Sequence, residues 1–280
     1  MQCYAKINLF LEIQDKRPDG YHNLGTLFQT LECHDILEAE ASDRIDLICP
    51  DGITADKDQN LILRAAMLLQ QTYASRLKPD TGIIFRLEKN LPMGAGLGGG
   101  SSNAAAALML CNQLWNLQLS LEELVPLAAK LGADVPFFLY GGTFFAEGKG
   151  EILSPAPEPL PFHVVIATPH CHVPTAWAYA QLPAKSKYNW SKFKALYSVY
   201  CEEEGFYNLL QNDFEAPMRK HFPEMESLFA VLATFSPIKS LLSGSGASVF
   251  ALFRDLAAAE ACLAKVQSQC RYSILTKFVF

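Results

Sequence analysis

The chain has 280 residues, half of them apolar and 19% charged, with a formal net charge of −6. That length buries a sizeable core in one large or two modest domains, and the composition excludes a mainly disordered chain. No Lys/Arg cluster follows a helix face or loop, which argues against nucleic acid as a partner, and no apolar stretch reaches the length of a membrane span.

The elements are read in chain order. Residues 2–12 read as a strand, followed by a polar loop whose Pro18-Asp-Gly20 marks a tight reversal before Tyr21 and His22. Further strands are expected at 24–31, 35–40 and 44–48, then a helix over 60–73 by its apolar periodicity. A short strand at 82–87 leads into the run Pro92-Met-Gly-Ala-Gly-Leu-Gly-Gly-Gly-Ser-Ser102, which opens a buried, alanine-rich helix to Trp115. Ser120-Leu-Glu-Glu123 is a capping box that starts a helix ending at Gly132. A strand at 143–146 and a turn at 148–150 precede Leu153–Pro161, whose prolines make it the best linker candidate. We place a domain boundary there, giving 1–155 and 156–280. Beyond it the pattern predicts a strand at 162–168, short helices at 175–181 and 191–200, and helix over 208–234 broken at Pro217 and Pro223. A strand, the glycine loop Ser243-Gly-Ser-Gly246, a strand, a helix and a strand complete an α+β second domain.

The eight cysteines form no C-x-x-C pair, and no His/Cys spacing suits zinc. We expect them to be reduced packing residues in a cytoplasmic protein, with no protein metal site. The start, Met1-Gln-Cys-Tyr-Ala-Lys6, runs straight into a strand pattern, so no targeting segment is expected ahead of the fold.

The glycine run carries the chemistry. Glycines let backbone turn tightly against a ligand, and the first turn of the next helix offers unpaired N–H groups with a partial positive charge. Ser101 and Ser102 add hydroxyls for a phosphate or Mg²⁺. A Walker loop is excluded because no lysine ends the run, and a dinucleotide fingerprint fails for want of an acid about 20 residues on. The bland alternative is a surface turn. Asp134, between a helix stop and Pro136, suits a base at a cleft edge, or a turn residue bonding its own backbone. A lysine within a strand, such as Lys6, is usually solvent-facing.

Pro92-x-x-x-Gly96-Leu97-Gly98 followed by Ser101-Ser102 resembles the second motif of the GHMP kinases. The two added glycines and Asn103 are similar to the subfamily acting on 4-diphosphocytidyl-2-C-methyl-D-erythritol. Ala5-Lys6-Ile-Asn8, Arg17-Pro-Asp-Gly20-Tyr21-His22, Leu131-Gly-Ala-Asp134-Val-Pro136 and Ser243-Gly-Ser-Gly246 agree in order, across nearly the whole chain.

The resemblance implies a two-domain α+β GHMP fold: a ribosomal protein S5 domain 2-like N-terminal domain, an α/β C-terminal domain and an interdomain active site. It implies ATP with Mg²⁺, bound by Pro92, Met93, Gly94, Ala95, Gly96, Leu97, Gly98, Gly99, Gly100, Ser101 and Ser102. Asp134 would be the general base, with Lys6 as its electrostatic partner. Tyr21, His22 and Tyr179 would read a cytosine, Asn8 would meet the methylerythritol part, and Lys89 a nucleotide phosphate or ribose. Tyr179 could instead pack on the core, and Lys89 could be a solvated strand-end charge. The Ser243–Gly246 loop would close the site. The implied reaction is phosphorylation of the 2-hydroxyl in non-mevalonate isoprenoid synthesis, by a monomer or homodimer. The alternatives are a homoserine or mevalonate kinase, or a catalytically silent nucleotide-binding member, which would be expected to lack Lys6 or Asp134.

Overall fold

Alternating apolar side chains make strands of the first 48 residues: β1 (Gln2–Lys16), β2 (His22–Ser42) and β3 (Ile45–Ile48). The computed structural model describes residues 1–54, 56, 58–183 and 188–280. Backbone contacts divide the chain into two interleaved units. Unit 1 holds Met1–Ala5, His34–Leu91 and Gly98–Tyr140; unit 2 holds Lys6–Cys33, Pro92–Leu97 and Gly141–Phe280. The expected break between strands at 31 and 35 is absent. β2 runs unbroken through Glu32, Cys33 and His34, 21 residues in all, with Cys33 and Asp35 buried.

In unit 1, β4 (Gly82–Glu88) pairs antiparallel with β2, Ile36 facing Glu88 and Ser42 facing Gly82, and parallel with β3, Ile45 facing Ile83. A parallel pair needs a crossover, and helix α1 (Leu61–Thr72) supplies it. Helix α2 (Gly99–Leu114) and helix α3 (Leu121–Leu131) complete the layer with the one-turn α4 (Phe137–Tyr140). Leu37, Ile83 and Phe85 of the strands pack with Ala66, Leu69, Ala104, Ala105, Leu108 and Leu127 of the helices. The alanines of α2 bring its backbone close to this core. The capping box of α3 forms as predicted: the Glu123 N–H donates to Ser120 Oγ (3.3 Å), and the Ser120 N–H donates to Glu123 Oε2 (2.9 Å). Gly132 ends α3 in extended backbone, its N–H closing the last turn onto the Ala128 carbonyl at 3.3 Å.

Unit 2 contains most of β1, the first part of β2, β5 (Thr143–Glu147) and β6 (Ile152–Pro155). β6 is a correction. The expected linker begins as a strand, and Pro155 faces Phe144 across an antiparallel pair. A second, four-stranded antiparallel sheet has the order β10 (Tyr272–Lys277), β7 (His163–Thr168), β9 (Val249–Phe253), β8 (Lys239–Leu242). Helices α5 (Thr175–Ala180), α6 (Trp190–Tyr200), α7 (Glu215–His221), α8 (Pro223–Ala233) and α9 (Leu256–Val266) belong to the same unit. Pro217 does not break its helix. It sits in the first turn of α7, where backbone N–H groups lack intrahelical partners. Pro223 starts α8 at a position proline favours.

Candidate active site

The front of the glycine run belongs to unit 2 and is fastened to the Ser243–Gly246 loop of that unit. Ser243 Oγ donates to the Gly96 carbonyl (2.9 Å), and the Ser248 N–H donates to the Ala95 carbonyl (3.1 Å). Gly96 has a φ of +80°, and a Cβ there would lie 2.0 Å from the Ser243 carbonyl oxygen, so only glycine fits. The partner loop is held in turn by Asn212. Its Nδ2 donates to the carbonyls of Leu242 (2.7 Å) and Gly244 (2.8 Å). Nothing in the local sequence around Asn212 signals this role, because its targets lie about thirty positions away. The Lys6 N–H donates to the Leu97 carbonyl at 2.9 Å, which lays the front of the loop along β1.

The back of the run starts α2 in unit 1. Gly98 caps the helix in the left-handed conformation, φ +72°, with no side chain on the first N–H groups. Helices α1, α3 and α9 each place a capping side chain there, from Asn60, Ser120 and Asp255. The first intrahelical bond of α2 runs from the Ser102 N–H to the Gly98 carbonyl (2.9 Å), so the N–H groups of Gly99, Gly100 and Ser101 precede the helical ladder. An anion is the natural partner for such an end.

Lys6 and Asn8 lie side by side on β1 in unit 2, both buried, which overturns the solvent-facing alternative for Lys6. Lys6 Nζ donates to Asn8 Oδ1 (2.7 Å) and sits 5.0 Å above the Phe28 ring. Asn8 Nδ2 donates to Thr26 Oγ1 (2.8 Å), and that hydroxyl donates to the Phe10 carbonyl (2.6 Å). This chain of donors fixes the amide's orientation and aims its oxygen at the ammonium. Asp134 is half-buried in the turn between α3 and α4 of unit 1.

The predicted cytosine readers lie in unit 2 but are not equivalent. His22 and Tyr179 stack, with ring centroids 5.1 Å apart and planes 20° off parallel. Tyr179 also meets Phe214 edge-on at 4.9 Å, so it packs on the core and presents a face to His22 at once. The two rings line a cavity of about 420 Å³ with Lys16, Tyr188 and Asp213. Tyr21 is 60% exposed, with Lys149 Nζ 4.8 Å above its ring.

Lys89 is not a solvated strand-end charge. Its ammonium pairs with Asp35, which is wholly buried. The sequence offers Asp35 only as the first residue of the strand expected at 35–40; β2 carries other polar residues nearby, Glu32, His34 and Glu38, so nothing local singles it out.

Comparison with known proteins shows the family. Residues 60–142 match the GHMP kinases N terminal domain, and residues 202–271 match the GHMP kinases C terminal region. A 4-diphosphocytidyl-2-C-methyl-D-erythritol kinase of Paraburkholderia xenovorans is 43% identical, over 95% of this chain and 89% of its own. Its counterpart in Chlorobium limicola is 37% identical, over 96% and 93%. A crystal structure of 4-(cytidine 5'-diphospho)-2C-methyl-D-erythritol kinase superposes with a TM-score of 0.82 at 31% identity, covering 100% of this chain and 99% of that one. With this identity over nearly full length, the chain belongs to the GHMP kinases and, within them, to the 4-diphosphocytidyl-2-C-methyl-D-erythritol kinase family.

Proposed function

We propose that the chain transfers the γ-phosphoryl group of ATP to the 2-hydroxyl of 4-diphosphocytidyl-2-C-methyl-D-erythritol, a step of non-mevalonate isoprenoid precursor synthesis. The observation that carries this reading is the near full-length identity to kinases of that name. The uncapped, glycine-lined start of α2 supports it as a phosphate site.

Phosphoryl transfer needs phosphates held in line, developing charge stabilised and the hydroxyl proton removed. The backbone from Pro92 to Ser102 holds the phosphates. Asp134 takes the hydroxyl proton, and Lys6, whose ammonium Asn8 orients, is its electrostatic partner. Asn8 meets the methylerythritol part, while His22, Tyr179 and Tyr21 receive the cytosine. The hydroxyls of Ser101 and Ser102 are hard oxygen donors that fit a Mg²⁺ ligated mainly by phosphate and water. Mg²⁺, when bound with ATP, neutralises phosphate charge. No group of three or more His, Cys, Asp or Glu side chains fit to hold a metal occurs among the described residues.

The division into 1–155 and 156–280 is part of the same proposal, and the two matched family regions fall on either side of it. So are a cytoplasmic location and a monomeric or homodimeric state. None of the eight cysteines is in a disulfide, and five are buried, which supports a role in packing. No helix among the described residues is long and apolar enough to cross a membrane.

The test is an ATP-consumption assay on purified protein with the cytidyl substrate, homoserine and mevalonate. Turnover is expected with the first alone. Turnover only with homoserine or mevalonate overturns the substrate, and no turnover with any of them favours a silent member.

A further inference from the structure

The glycine run contains no cation of its own, yet one stands beside it. Lys89 follows the end of β4, and its ammonium reaches the first residue of α2. A Cβ on Gly99 would come within 3.0 Å of Lys89 Nζ and 3.5 Å of Asp35 Oδ2. All of these groups belong to unit 1.

Asp35 accepts four donors. The N–H groups of Asn90 and Leu91 reach Oδ1, both at 2.8 Å. Asn103 Nδ2 (3.1 Å) and the Lys89 ammonium reach Oδ2. A carboxylate has about four lone-pair sites, so this one is saturated. One buried group thereby joins the end of β4, the entrance to the glycine run and the fifth residue of α2.

Lys89 is placed differently from its partner. Its side chain is 12% exposed, against none for Asp35, so it is not sealed within the protein as the carboxylate is. An ammonium carries three donors and Asp35 engages one of them. Two backbone N–H groups and an amide already serve the carboxylate. The placement of Lys89 at an uncapped helix start therefore has a use beyond balancing a buried charge.

We propose that Asp35 is a positioning residue for nucleotide binding. Its carboxylate fixes the Lys89 ammonium at the first turn of α2, where Lys89 serves as the cation that the glycine run lacks. The proposal rests on the ATP reading above and extends it to a residue that touches no ligand.

Calorimetry on the full chain tests it, with a non-hydrolysable ATP analogue and with adenosine as probes. Asp35→Asn and Lys89→Met are each expected to weaken the analogue roughly tenfold or more, as loss of a charge-assisted contact does, and to leave adenosine within about twofold. The double variant should be no weaker than the weaker single one, because Asp35 acts through Lys89. Additive losses, or equal losses for adenosine and the analogue, would overturn the proposal. Should Asp35→Asn fail to fold, Lys89→Arg replaces it. It keeps the charge and the pair, and should recover part of the affinity lost in Lys89→Met; no recovery overturns the proposal. Wild-type protein that binds neither probe would instead remove the ATP reading beneath it.

Discussion

At the start of α2 the groups available to a ligand are backbone N–H donors and one lysine, held by a left-handed glycine and a carboxylate with four donors. In the pocket around His22 two stacked rings stand beside charged side chains such as Lys16 and Asp213, and nearby Tyr21 is exposed with a lysine above its ring. On the proposed function, the difference follows from the chemistry each region would face. A phosphate must meet directed donors at fixed spacing, so small displacements are costly. A base presents a flat face on which a ring can slide without losing much stacking. Precision is therefore built into backbone in one region, and tolerance into side chains in the other.

The sharpest expected effect concerns chemistry and not binding. Asp134→Asn should lower kcat by about 10²–10⁴-fold, the usual contribution of general acid–base catalysis, with ATP affinity little changed. Pre-steady-state kinetics with ATP and the cytidyl substrate checks this, and near-normal turnover removes Asp134 as the base. Next is Gly96→Ala, which forces a Cβ against the Ser243 carbonyl at a φ of +80°. It should cost about 2–4 kcal/mol of stability through backbone strain and overpacking, read as a lower urea midpoint, and should weaken ATP binding. Stability like that of the wild type would show that the loop is not fixed by this contact.

A smaller effect is expected in the pocket. Tyr179→Ala should weaken the cytidyl substrate by about 1–3 kcal/mol, by analogy with base stacking in single-stranded nucleic acids, and leave ATP binding unchanged. Equal losses for both ligands would break the comparison between the regions.

The smallest effect is a pH dependence. The Trp190 indole N–H donates to Glu147 at 2.6 Å and Lys194 lies 3.2 Å away, and together they hold the Glu147 carboxyl below its usual range. A depressed folded-state value adds stability above the unfolded value of 4.5, and that stability is lost as pH falls through the folded one. Trp190→Phe should flatten the acid limb of thermal midpoints measured between neutral and acid pH. An unchanged limb assigns the acid sensitivity to other carboxylates.

Local patterns were legible wherever one segment carried its own reason. The capping box at Ser120, the alanine-rich α2 and the glycine run each pair a residue type with a backbone need a few positions away. Long-range partners were not legible. Asp35 reads only as the start of a separate strand, because its donors come from residues 89–103, far along the chain. Residues 153–155 read as linker because proline is scarce in strands, yet the last position of a short strand tolerates it. At the site, the motifs singled out Lys6, Asn8 and His22, but not the amide of Asn212 that holds the second loop, nor the contact that turns Tyr179 toward His22.

The interleaving of the two units has a consequence for how such a gene can be rebuilt. The chain passes from one unit to the other at 5/6, 33/34, 91/92, 97/98 and 140/141. Two of those crossings bracket the front of the glycine run, and two fall within β1 and β2. A chimera exchanging one of these units would need five junctions, two of them inside the strands β1 and β2.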